Sequence, residues 1–174
     1  MVAETEAVQY ILKKSENYYD LILIESHSPI LYGLQYKFEA PLIAISSLEN
    51  LQYLEYLFGN PMHPALYSDF LTGLYPELKF YEKFENLYLI LGSYLLNKFV
   101  FYPRADELAR IYFGKDMPYI EDVIKNTSLL FSNVNPVFSD RRPRVSNIIH
   151  YFNIHIRKND PINEVRRMVI DIKR

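Results

Sequence analysis

Two short aliphatic runs, Leu21-Ile22-Leu23-Ile24 and Leu42-Ile43-Ala44-Ile45, constrain this chain more than any other feature. Each is bounded by polar residues, and four consecutive aliphatics so bounded predict a strand buried on both faces, as in parallel sheets. Pro29 suits the first turn of a helix reaching about Phe38, and Pro41 introduces the second run, which ends at Ser46-Ser47. Strand, helix and strand therefore fall within about 27 residues, Asp20 to Ser46. A crossover of this kind is right-handed and sets its two strands parallel, so the expected class is α/β with helices flanking the sheet. In open α/β sheets ligands bind beyond the carboxyl ends of the strands. Glu25, Ser26 and His27 stand at such an end.

The remaining elements are legible by period and punctuation. Ala7, Val8, Ile11 and Leu12 predict an opening helix over Ala3 to Lys14. Apolar residues recurring from Leu78 to Phe101 predict the longest helix, whose second half is apolar nearly all round and so is expected to be buried or covered by a partner. Pro103 is expected to interrupt it, and Ala105 to Tyr112 to restart a helix that Gly114 closes. A shorter helix follows over Tyr119 to Lys125, then strands over Ser128 to Phe131 and Val145 to Tyr151. Between Phe58 and Pro76, prolines and glycines alternate with aromatic residues, which predicts an ordered loop whose rings dock on the body of the protein.

At 174 residues the chain has the size of one domain. Its 16 tyrosines and 11 phenylalanines suit large contact surfaces and ring-walled pockets. The absence of cysteine excludes disulfides, thiolate metal sites and a thiol nucleophile. The apolar stretch Leu87 to Phe101 contains Lys98 and falls short of the roughly 20 residues a membrane span needs. No secretory signal opens the sequence, so a soluble product is expected from the chain as given. Net charge is −2, but residues 1–140 carry 10 basic against 18 acidic side chains while 141–174 carry 9 against 3. Those nine cations are dispersed among apolar residues, which fits solvated charge better than a nucleic-acid surface.

The candidate chemistry is sparse. Glu25 and His27 have the residue types for acid–base work, although a strand that stops at Glu25 argues against a direct pair; the bland alternative is a polar strand end capping the next helix. His63, His150 and His155 lie far apart without metal-ligand spacing, so no metal site is expected. Neither a Walker loop nor a dinucleotide-binding glycine fingerprint occurs, and Ser46-Ser47 lacks the glycines of a nucleophile elbow. Asn126-Thr127-Ser128 matches the N-glycosylation acceptor pattern.

Three stretches in order resemble the amino-terminal half of the UDP-glycosyltransferases, particularly the insect members. They are Tyr19-Asp20-Leu21-Ile22-Leu23-Ile24-Glu25, the proline-bounded Gly59-Asn60-Pro61-Met62-His63-Pro64-Ala65-Leu66-Tyr67, and Asn126 to Asn133 followed by Arg142 to Ile149. The resemblance covers roughly residues 5–156. It implies the acceptor-binding half of a GT-B glycosyltransferase, an incomplete Rossmann-like parallel sheet with flanking helices. The implied organisation is a partial acceptor-binding domain over 1–156 and a divergent basic tail over 157–174. The implied reaction transfers a hexosyl group from a UDP-sugar to a small lipophilic acceptor hydroxyl with inversion. Glu25 would be the acid orienting a catalytic histidine, with His27, His63 and Tyr67 as acceptor-pocket residues and Asn126 as a glycosylation site.

No cofactor is implied beyond the UDP-sugar co-substrate, whose domain the sequence does not contain, and the family's histidine strand would precede residue 1. The resemblance places full-length members in the endoplasmic reticulum. A chain as given would be soluble or cytoplasmic and should not transfer sugar by itself. Expected partners are the lipophilic acceptor, the UDP-sugar through the carboxyl-terminal domain, and other transferase copies, with no nucleic acid. Two alternatives stay open. One is a non-catalytic module that binds full-length transferases through Leu87 to Phe101, and the other is an unrelated flavodoxin-like or receiver-like domain.

Overall fold

A computed structural model describes residues 6–69, 72–73, 78–135 and 143–153; the tail expected over 157–174 and His155 lie outside them. The chain runs α1 (Glu6–Leu12), β1 (Ile22–Glu25), α2 (Gly33–Phe38), β2 (Leu42–Ser46), α3 (Gln52–Leu57), α4 (Phe80–Leu96), α5 (Tyr102–Phe113), α6 (Ile120–Lys125), β3 (Leu129–Asn133) and β4 (Ile148–Tyr151). The four strands form one sheet in the order β1-β2-β3-β4. All three pairings are parallel, as the crossover reading requires.

The first αβ unit shows how sequence sets the layers. Pro29 opens a 3₁₀ turn over Pro29–Tyr32, where its missing N–H costs nothing, and the turn runs into α2. This segment buries Tyr32 and Phe38 fully. They meet Ile22, Ile24, Leu42, Ala44, Leu130 and Ile148 from the sheet, and Ala109, Ile120 and Ile124 from α5 and α6, in a single core.

Alternation then assigns the other side chains of the sheet to the opposite face. Leu21 and Leu23 are 47% and 58% exposed, and Ile149 is 38% exposed. The expectation that β1 is buried on both faces is therefore corrected: its burial alternates, with Ile22 and Ile24 in and Leu23 and Glu25 out. In register, Leu23 stands beside Ile43 and Leu129, while Glu25 stands beside Ile45, Phe131 and Ile149.

Pro103 does not break the long helix. Asn97–Phe101 form a π turn that joins α4 to α5, with the Tyr102 N–H donating to the Asn97 carbonyl. The proline lies in the first turn of α5, and the wide turn absorbs the hydrogen bond that its missing N–H cannot make. Within this chain Ile90 of α4 is buried, while Leu91, Leu95 and Leu96 farther along the helix and Phe99 in the π turn are exposed.

A further helix, α3, is too short for periodicity to announce. Its first N–H, from Gln52, donates to the Asp69 carboxylate at 2.8 Å. That side chain caps the helix from 17 residues downstream, and the negative charge suits the helix start. The same contact pins the proline-rich loop to the body of the protein, together with Asn86 of α4, whose amide donates to the Pro64 and Tyr67 carbonyls.

Candidate functional site

At the carboxyl edge of the sheet each of the first three strands has a buried serine at its end or one residue from it: Ser26, Ser46 and Ser132 are at most 1% exposed. Buried hydroxyls must find partners, and here they knit the strand ends together. Ser26 Oγ donates to Asn50 Oδ1 at 3.2 Å, and the Asn50 backbone N–H donates to Ser132 Oγ at 3.3 Å. Ser46 Oγ accepts from the Leu48 N–H. Two tyrosines close the layer, Tyr32 donating to the Ser26 carbonyl at 3.0 Å and Tyr151 to the Ser46 carbonyl at 2.7 Å.

On this floor stands Glu25. The Ser26 N–H continues the ladder to the Ile45 carbonyl, after which the backbone turns, with Ser28 N–H directed to the Glu25 carbonyl. The reversal carries the His27 ring back, so Nδ1 lies 3.2 Å from Glu25 Oε1. The spacing expectation that these residues do not pair is thus corrected. The strand does end at Glu25, and it is the turn after it that closes the contact.

Three oxygens surround one ring nitrogen. Besides the carboxylate, Ser26 Oγ is 3.2 Å and Ser46 Oγ 3.5 Å from His27 Nδ1. A carboxylate only accepts, so the network assigns the ring proton to Nδ1 and leaves Nε2 with the lone pair in the neutral ring. Such an arrangement also excludes a serine hydrolase triad, in which the acid and the serine must face opposite ring nitrogens. Burial pushes the Tyr32 phenol far above its ordinary value, with the Glu25 charge adding to the effect. Burial first and Glu25 second raise Tyr151 as well. Both phenols therefore serve as neutral donors beneath the carboxylate.

The other expected site residues lie apart. His63 and Tyr67 share one turn of the proline-rich loop, their rings 6.2 Å apart, and none of their contacts reaches Glu25 or His27. The turn carries a small apolar cavity of about 220 Å³ lined by Pro64, Ala65, Phe80, Lys83, Phe84 and Leu87. It is nonetheless joined to the strand-end floor, because Asn50 belongs to that floor and Gln52, two residues on, holds both Tyr67 and Asp69. Asn126 is exposed at the end of α6, before β3 begins, and so sits at the opposite edge of the sheet from Glu25. The hydroxyl of Thr127 is buried against the Val123 carbonyl.

Sequence reading missed Tyr32, Ser46, Asn50, Ser132 and Tyr151 as members of the site. A serine at or just past the end of three apolar runs was the available signal for part of this set. Tyr151 had none, since it reaches from β4 across β3 to β2. Among the described residues no group of three His, Asp or Glu side chains is disposed to hold a metal ion. No helix among them is long and apolar enough to cross a membrane.

Curated relatives place these features in context. UDP-glucosyltransferase 2 of Dactylopius coccus is 32% identical over 134 residues, which is 75% of this chain and 25% of that protein. The ecdysteroid UDP-glucosyltransferase of Spodoptera littoralis nuclear polyhedrosis virus is 28% identical over 170 residues, 88% of this chain and 30% of its own length. A putative UDP-glucuronosyltransferase of Caenorhabditis elegans is 24% identical over 107 residues, 59% of this chain and 19% of its own. The chain thus spans 19% to 30% of the length of these relatives. No protein-family model and no solved structure matches it.

Proposed function

We infer that this chain, a sequence relative of the UDP-glycosyltransferases, supplies the acceptor side of a hexosyl transfer from a UDP-sugar to the hydroxyl of a small lipophilic molecule. The observation that carries the reading is the position of Glu25. It ends a parallel strand at the edge where α/β sheets present their chemistry, and its carboxylate is already engaged with an imidazole. A charged acid so placed orients a histidine and stabilises the imidazolium formed when that histidine takes a proton. The acceptor would be held by apolar surface, which the loop cavity beside Phe80 and Phe84 provides. The sugar nucleotide would be held elsewhere in the protein, since no phosphate-cradling loop occurs in this sequence.

Equilibrium binding to the 174-residue chain tests the reading. A fluorescent lipophilic phenol is expected to bind with saturation, and UDP-glucose is not. Failure of the phenol to bind would sink the acceptor role, and release of UDP from UDP-glucose by this chain in the presence of a phenol would sink the division of labour.

A second reading, a module that docks on full-length transferases, is favoured by one observation. Phe80, Tyr88 and Phe99, spread along α4 and the π turn, are 78%, 77% and 68% exposed. Co-purification with a full-length transferase, lost on replacing Tyr88 and Phe99 by Ser, is its expected signature.

A further inference from the structure

We propose that α4 is the contact by which two copies of this chain pair, the two helices lying antiparallel across a two-fold axis at the level of Ile90. The proposal names an occupant for the helix face on which the docking reading rests, and it commits that face to a second copy.

The helix has a fixed inner side. Asn86 and Ile90 are buried, Asn86 holds the proline-rich loop, and the Tyr94 ring stands edge-on to Tyr56 of α3 at 5.8 Å. Residues 86, 90 and 94 recur every four positions, so the helical period assigns the opposite side to Tyr81, Phe84, Tyr88, Gly92, Leu95 and, through the π turn, Phe99. The five large side chains of that set are all exposed, and no charged residue occurs between Glu85 and Lys98. Four of the five are aromatic and are 60% to 77% exposed. At roughly 150–250 Å² for each whole ring, they and Leu95 offer on the order of 600 Å² per copy. Paired with itself, such a face buries about 1,200 Å², where stable interfaces begin.

The order of the side chains fits a copy of itself. In a two-fold contact, where residue i of one copy meets residue j of the other, j also meets i. Read from either end about position 90, Tyr81 answers Phe99, Phe84 answers Leu95 and Tyr88 answers Gly92. Only the antiparallel arrangement makes these matches, because a parallel one sets each residue beside itself and leaves a gap where the glycines meet. Gly92 is an independent sign of the same contact. It lies inside α4, where glycine weakens a helix relative to alanine, yet a Cβ there would stand in open space, with nothing within 4 Å beyond its own turn of helix. The fold of one copy does not require the gap. A tyrosine ring from a second copy fills it, twice per dimer by symmetry.

Sedimentation equilibrium of the 174-residue chain at roughly 1–200 µM is expected to show a monomer–dimer equilibrium in the micromolar range, as suits an interface at the small end of the scale. G92L fills the space the opposing Tyr88 ring must occupy and is expected to weaken pairing at least about tenfold. The monomer has room at that position and gains a better helix former, so its circular dichroism is expected to persist and its melting temperature not to fall. Adding Y88A to G92L exchanges the large and small positions and is expected to restore most of the pairing. Orientation is read from single introduced cysteines, since the chain has none of its own. On oxidation an equimolar mixture of F84C and L95C is expected to cross-link, and neither variant alone. A chain that stays monomeric across the range overturns the proposal, as do pairing unaffected by G92L, no recovery in the double variant, or linkage of F84C to itself. A monomer that co-purifies with a full-length transferase overturns the second copy and leaves the docking reading standing, and a dimer that does not co-purify does the reverse.

Discussion

The two faces of the sheet are built from the same kinds of residue and meet different surroundings. On one face Leu42, Ala44 and Leu130 are wholly buried against Tyr32, Phe38, Ile120 and Ile124. On the other, Leu23 and Ile149 remain open, with Ile43, Ile45, Leu129 and Phe131 only half-buried. Side-chain chemistry is therefore not what makes one face a core. The crossovers are: the turn and helix after β1, and α5 and α6 before β3, all pack on the same side. The open face is where Glu25 emerges, so the chemistry and the uncovered apolar surface share one side of the sheet. The closed face holds the molecule together, and the open face presents.

That contrast breaks first if equivalent truncations cost the same on both sides. Leu130→Ala is expected to lower the unfolding free energy by about 2–5 kcal/mol in denaturant titration, because it leaves a cavity in a closed core. Leu23→Ala on the open face should stay within roughly 0.5 kcal/mol. Equal losses would mean that the open face is covered in solution. A second, smaller effect sharpens the same point from the opposite direction. Gly33 begins α2 in ordinary helical geometry, where alanine would normally help, but a Cβ there runs into the Phe113 ring. Overpacking costs about 1–3 kcal/mol and outweighs the gain of about 1 kcal/mol in helix propensity, so G33A is expected to destabilise. A stabilised G33A would show that Phe113 is free to swing away and that the α2–α5 contact is loose.

Much of the closed face was legible in the sequence, and the open face was not. Runs such as Leu21 to Ile24 and Leu42 to Ile45 announce parallel strands, and Pro29 and Gly114 mark helix ends where the helices do begin and end. An uninterrupted aliphatic run, however, carries no information about which alternate residues will be covered, because that depends on where distant helices land. Pro103 misled for a local reason: a proline in the first turn of a helix is tolerated when a wider turn precedes it, and nothing in Asn97 to Phe101 marks a π turn in advance. The Glu25–His27 contact was hidden because spacing along a strand says nothing once the chain reverses at Ser26–Ser28. Asp69 capping α3 was hidden by its distance along the chain.

A tyrosine at the strand ends samples each side of the comparison. Tyr32 belongs to the closed face and donates to the Ser26 carbonyl, whereas Tyr151 donates to the Ser46 carbonyl from the open face. Removing the buried hydroxyl in Y32F is expected to cost about 1–2 kcal/mol at neutral pH, and Y151F less. The pH dependence separates them further. Tyr32 is raised above the unfolded value of 10.0 chiefly by burial, so its contribution to stability is fully present below about pH 10. As pH rises beyond that, the unfolded chain releases the proton and the folded chain keeps it, and stability falls by up to about 1.4 kcal/mol per pH unit until the folded group also titrates. Urea titrations between neutral pH and pH 11 should show this loss in the wild type and a shallower slope in Y32F. An unchanged slope would mean that the Tyr32 hydroxyl is reached by solvent in the native state.

The smallest expected effect bears most on function. Glu25 and His27 form an ion-pairing contact whose side chains are 47% and 32% exposed, and exposed pairs of this kind contribute between zero and about 1 kcal/mol. A double-mutant cycle over E25Q and H27N should therefore give a coupling energy below roughly 0.5 kcal/mol in unfolding experiments. The folded state would scarcely notice the loss of either group. Ser26 and Tyr32 beneath them do the structural holding, through backbone and buried hydroxyl contacts that neither substitution touches. A coupling well above 1 kcal/mol would assign the pair to the fold and remove the reason to regard it as chemistry. A negligible coupling would mean that two groups the fold does not need are held in contact at the carboxyl edge of the sheet, where α/β sheets present their chemistry.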